Sequence, residues 1–102
     1  MDITDLISSD AIIPTLRAPS KKQALQELAR KASELTGIES REIFDVLLER
    51  ERLGTTGVGH GIAIPHGKLA KLDRLYGVFA RMEQPIDFDS IDDEPVDLLF
   101  LL

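Results

Sequence analysis

Residues 54–68, GTTGVGHGIAIPHGK, gather five glycines and both histidines of the chain into fifteen positions. An imidazole with a pKa of about 6.5 is a fair nucleophile at neutral pH and can carry a phosphoryl group covalently. Such a carrier needs its ring exposed at the end of a rigid element. It also needs amide donors or a cation to receive phosphoryl charge, and small residues that let a partner approach. His66 meets these demands: Pro65 stiffens the chain ahead of it, Gly67 leaves room beside it, and Gly57 to Gly61 can aim N–H groups nearby. The competing reading is a polar residue leaving a strand. His60 lies between two glycines with no rigid element before it and reads as an exposed loop residue.

Other chemistries fit the segment poorly. A dinucleotide fingerprint needs G-x-G-x-x-G between a strand and a helix; Gly57, Gly59 and Gly61 give G-x-G-x-G after a helix pattern. Between Gly61 and Gly67 lie five residues where a nucleotide P-loop has four, and Leu69 follows Lys68 in place of Ser or Thr. His60 and His66 lack the carboxylate or thiol companions of a zinc site, so no metal and no cofactor is expected. No nucleophile-elbow signature is present for Ser/His/Asp hydrolysis.

The chain of 102 residues is long enough for one small domain, 1–102, and its 43% hydrophobic content allows a modest core. Twelve basic against eighteen acidic residues give a net charge of −6, which argues against unspecific nucleic-acid binding. Cysteine is absent, so disulfide and thiol chemistry are excluded. The N-terminus MDITDLISSD lacks the basic and apolar regions of a signal peptide, and the run LLFLL is too short to span a bilayer. The expectation is a cytoplasmic protein without membrane insertion.

These residues must be held by surrounding elements. Residues 3–7 suggest a short opening helix, and AIIPTL (11–16) a short strand edged by Pro14. In APSKKQALQELARKASELTG, Ser20 with Gln23 forms a capping box, apolar residues recur at 25, 28, 29, 32 and 35, and Gly37 supplies the stop. ESREIFDVLLERERLG predicts a second helix capped by Ser40, buried through Ile43, Phe44, Leu47 and Leu48, and ended by Gly54. Its last turn places Arg50 and Arg52 at the carbonyl end of the helix dipole. IAI follows as a short strand and LYGVFARM (75–82) as a longer one. QPIDFDSIDDEP reads as a turn-rich acidic connection into the strand VDLLFLL. The pattern predicts an α/β fold, a three-layer α/β/α sandwich with a central mixed sheet. An ending on its most apolar segment suggests that the closing C-terminal helices are missing from this chain.

The segment from Arg50–Glu51 through GTTGVGHGIAIPHGK resembles the active-site segment of IIA components of the bacterial phosphoenolpyruvate-dependent phosphotransferase system, fructose/mannitol class. Within that class it is most similar to the nitrogen-regulatory branch. IDFDSIDDEPVDLLFLL and SKKQALQELA are similar to the later strands and first long helix of the same family. The resemblance implies that His66 accepts a phosphoryl group at Nε2 from a small histidine phosphocarrier protein. It also implies that Arg50 stabilises the phosphoryl charge and that regulated partner proteins read the result. Thr56, Gly57, His60 and Gly67 are the supporting positions. A further histidine usual in the family's C-terminal part has no counterpart within these residues. The alternatives are a sugar-specific fructose/mannitol-type IIA domain that passes phosphate to a IIB domain, or a non-catalytic regulatory binding module of the same fold.

Overall fold

The computed structural model describes residues 11–67 and 77–101. The expected opening helix at 3–7 and the first residues of the strand expected at 75–82 lie outside them. Strand β1 (Ile12–Leu16) leads to helix α1 (Lys21–Thr36) and helix α2 (Ser40–Arg52). Four strands follow, β2 (Gly57–Gly59), β3 (Ile62–Ala63), β4 (Val78–Ile86) and β5 (Val96–Leu101).

Local signals account for α1. Ser20 is extended and its hydroxyl accepts the Gln23 N–H at 3.3 Å, while Gly37 adopts φ 78° and returns its N–H to the Ser33 carbonyl at 2.9 Å. Between these caps Ala24, Leu25, Leu28, Ala29 and Ala32 face the core. Helix α2 begins differently from the expectation that Ser40 caps it. Glu39 is the N-cap, with φ −58° and ψ 136°, and its side chain makes no cap hydrogen bond. Ser40 is already helical, so its hydroxyl is past the position from which a cap reaches the orphan amides. Ile43 and Leu47 are buried as expected, whereas Phe44 and Leu48 are only half-buried.

The sheet is mixed, in the order β1-β4-β5-β3-β2. β4 and β5 pair antiparallel at its centre; β1 runs parallel to β4, and β3 parallel to β5. β2 closes one edge antiparallel to β3, through Gly57 opposite Ala63 and Gly59 opposite Ile62. The sequence pattern predicts no strand at β2, and it predicts a turn at Gln84–Ile86, where β4 instead continues. Pro85 is accommodated in β4 because the register shifts between Arg81 and Ile86.

One apolar cluster unites the two helices with one face of the sheet. Ala80, Leu99 and Ala63 lie side by side across β4, β5 and β3, each at 0% exposure, beneath Leu25 and Leu28 of α1. Phe88, in the acidic connection, is also fully buried and anchors that loop to the core; a side chain of this size contributes about 1.5–3 kcal/mol on burial. The opposite face carries Ile12, Phe79, Arg81 and Leu98, which are exposed or half-buried. The α/β class with a central mixed sheet is thus observed, and α1 and α2 form the helical layer among the described residues. This frame fixes β3 against β5, and the chain leaves β3 toward His66 near the C-terminal end of α2.

Candidate functional site

The last turn of α2 leaves carbonyls without helical partners, a favourable place for cations. Arg50, in that turn, donates from Nη1 to the carbonyl of Gly54, just past the end of the helix, at 2.8 Å. The same guanidinium donates from Nε to His66 Nε2 at 3.1 Å. The two are sixteen positions apart in the chain, so the contact depends on the return of the backbone through the β2–β3 hairpin.

The His66 ring is exposed, while Pro65 before it is fully buried and fixes the exit from β3. His66 Nδ1 stands 3.0 Å from the Ile64 carbonyl oxygen. A carbonyl only accepts, so Nδ1 carries the proton. Nε2 then holds the lone pair, which the Arg50 N–H meets. The two contacts agree on a neutral ring in the Nδ1–H tautomer. Chemically, this is an exposed nitrogen nucleophile beside a permanent cation.

Glu51, adjacent to Arg50, turns about 100° away around the helix and into the protein. Its side chain is only 4% exposed. It accepts the Thr56 N–H at 3.2 Å and the Thr56 hydroxyl, and it pairs with Lys21 Nζ of α1 at 2.8 Å. Lys21 also lies 4.8 Å above the Phe88 ring centroid and 3.5 Å from the Asp89 carboxylate. The residue pattern gave no functional role to Glu51 or Lys21. Glu51 nonetheless continues the four-residue spacing of Ile43 and Leu47, a signal that it shares their buried stripe.

The supporting positions behave unevenly. Thr56 joins the site through Glu51 and, by its carbonyl, accepts the Ile64 N–H at 2.9 Å. Gly57 does not offer a free amide: its N–H donates to the Thr55 hydroxyl at 3.0 Å. Its lack of a side chain instead makes room for Ser90, whose hydroxyl would collide with a Cβ there. Gly67 likewise gives clearance to Val46 of α2, not to the space beside the imidazole. His60 stands apart. It occupies the left-handed region at φ 57°, donates its backbone N–H to Asp92 at 3.0 Å, and lines an open hollow with Pro85, Glu94 and Asp97. The two histidines therefore serve separate surroundings.

Residues 5–102 match the family model described as phosphoenolpyruvate-dependent sugar phosphotransferase system, EIIA 2. The chain belongs to this EIIA family. It is 64% identical over 102 residues to a nitrogen regulatory protein of Bradyrhizobium diazoefficiens, covering all of this chain and 67% of that protein. A nitrogen regulatory protein of Klebsiella oxytoca is 42% identical over 103 residues, of which the chain spans 64% of the full length. Among solved structures, the nitrogen regulatory protein IIA-Ntr of Neisseria meningitidis superposes with a TM-score of 0.92 at 33% identity, over 97% of this chain and 68% of that one.

The EIIA family is a phosphotransferase component, and this EIIA chain pairs the histidine of its PHG segment with the arginine at the end of α2. No helix among the described residues is long and apolar enough to cross a membrane.

Proposed function

We propose that residues 1–102 form a IIA-type phosphotransferase domain whose His66 carries a phosphoryl group at Nε2. The observation that carries this reading is the ring held between Ile64 and Arg50, with Nδ1 protonated and Nε2 facing a guanidinium. The Nε2 lone pair attacks the phosphorus of a phosphohistidine on the donor, a histidine phosphocarrier protein. The donor N–P bond breaks, its electron pair returns to the donor ring, and a new N–P bond forms at His66. No proton has to move: Nδ1 keeps its hydrogen, and the Ile64 carbonyl faces the positive charge of the phosphorylated ring. Arg50 leaves Nε2 and follows the phosphoryl oxygens, neutralising them without blocking an in-line path.

Similarity to the nitrogen regulatory proteins supports a regulatory role, in which partner proteins read the phosphorylation state in the cytoplasm. The test is incubation of the full-length protein with phosphoenolpyruvate, the first enzyme of the system and its phosphocarrier. Intact mass should show an acid-labile adduct that is lost in His66→Ala. An adduct that persists in His66→Ala overturns the site; none on the wild type favours a binding module without turnover.

A further inference from the structure

Five contacts around His66 close a circuit. The Glu51 carboxylate holds the Thr56 N–H and hydroxyl, and the Thr56 carbonyl accepts the Ile64 N–H at 2.9 Å. The Ile64 carbonyl accepts the His66 Nδ1–H at 3.0 Å, and His66 Nε2 accepts the Arg50 N–H at 3.1 Å. Arg50 is covalently joined to Glu51, which completes the loop. We infer that Glu51 is a positioning residue for His66, acting through Thr56 and Ile64, and that Lys21 of α1 is its counter-charge. This rests on the proposed use of His66 Nε2 as the reacting atom.

The physical case begins with burial. A carboxylate with 4% exposure needs hydrogen bonds and an opposite charge to remain inside the protein. Thr56 supplies the bonds and Lys21 the charge, at 2.8 Å with its own side chain 20% exposed. The inward anchor and the outward catalytic contact thus come from one dipeptide at the end of α2. Any shift of Thr56 is passed to Ile64 by a backbone bond, and the Ile64 carbonyl is what selects the Nδ1–H tautomer. Losing that selection allows the ring to protonate Nε2, which removes the nucleophilic lone pair. Lys21 also contacts Phe88 and Asp89, so the β4–β5 connection is tied to the same anchor.

The experiment reads the ring itself. In full-length protein labelled with nitrogen-15, long-range proton–nitrogen spectra at a pH where the ring is neutral report its tautomer, with signals assigned by their loss in His66→Gln. The wild type should show Nδ1–H. Thr56→Val, which keeps the side-chain volume but removes the hydroxyl donor, should shift the ring toward a mixture and slow adduct formation about tenfold. Thr56→Ser should restore both. Lys21→Met should behave as Thr56→Val does, and Lys21→Arg should restore the tautomer. If folded Thr56→Val and Lys21→Met keep the wild-type ring signals, the positioning role is overturned. If the ring signals shift as expected but the wild type forms no adduct, positioning stands and the phosphoryl reading fails.

Discussion

Arg50 and His66 are bound to each other through Nε and Nε2 at 3.1 Å, while Arg50 Nη1 is held by the Gly54 carbonyl at 2.8 Å. One guanidinium thus spans two acceptors that belong to different parts of the chain. A lysine at this position retains the charge but offers a point donor on a flexible stem, unable to keep both contacts in one fixed plane. Arg50→Lys should therefore lose a large part of the activity, with Arg50→Ala about 10²-fold slower in phosphoryl transfer. Stability should change by only about 1 kcal/mol or less in thermal unfolding, because both hydrogen bonds of Arg50 lie at the solvent-exposed surface, where water replaces them on unfolding. Equal transfer rates for wild type and Arg50→Lys would show that charge alone suffices.

How much of this was legible in the residues varies with how local each signal is. α1 was largely legible, because Ser20, the apolar stripe and Gly37 act within one or two turns. Ser20 and Gly37 cap it and residues 25, 28, 29 and 32 are buried, while Leu35 is half-buried and Gln23 accepts the Ser20 hydroxyl instead of closing the capping box. His66 stood out from its immediate neighbours and Arg50 only through the family resemblance; the structure brings the two into contact. β2 was not, because Gly-Val-Gly has no strand preference of its own and becomes a strand only by pairing with β3. Phe88 lay in an acidic, turn-rich stretch whose composition concealed a fully buried anchor. Glu51 and Lys21 were missed for a related reason. Charged residues usually face solvent, and their burial depends on partners 30 residues apart in the chain.

Gly67 should tolerate alanine badly, and the reason can be tested by coupling. A Cβ there would run into Cγ1 of Val46, a β-branched side chain with little rotamer freedom on a helix. Gly67→Ala should destabilise the protein by about 1–3 kcal/mol in urea unfolding. In the Val46→Ala background, the same change should cost clearly less, giving a measurable coupling in a double-mutant cycle. Additive effects would place the strain elsewhere.

Asp92 contributes a defined limb to the acid stability. It accepts the backbone N–H groups of His60 at 3.0 Å and Glu94 at 3.1 Å. The bond from His60, followed by that from Glu94, holds its carboxyl below its ordinary value of 3.8. A carboxyl that is more acidic in the native than in the unfolded chain stabilises fully above the unfolded value. That contribution disappears as pH falls through the lowered native value. The difference in Tm between wild type and Asp92→Asn should therefore be largest near neutrality and shrink below about pH 4. A constant difference across that range would remove Asp92 from the account of acid unfolding.

His60 presents the opposite case from His66: a histidine whose backbone, not its ring, is constrained. Its φ of 57° lies where side chains bearing a Cβ are disfavoured, and the flanking Gly59 and Gly61 are also positive, at 99° and 77°. His60→Gly removes the local strain but adds freedom to the unfolded chain, so stability should stay within about 1 kcal/mol of wild type. His60→Val, β-branched in a left-handed position, should destabilise by about 1–2 kcal/mol. Neither change alters the Arg50–His66–Ile64 arrangement, so both proteins should form the same phosphoryl adduct as wild type. Urea midpoints and intact mass on the same samples separate the two effects. Loss of the adduct in stable His60→Gly would bring His60 into the chemistry of the site.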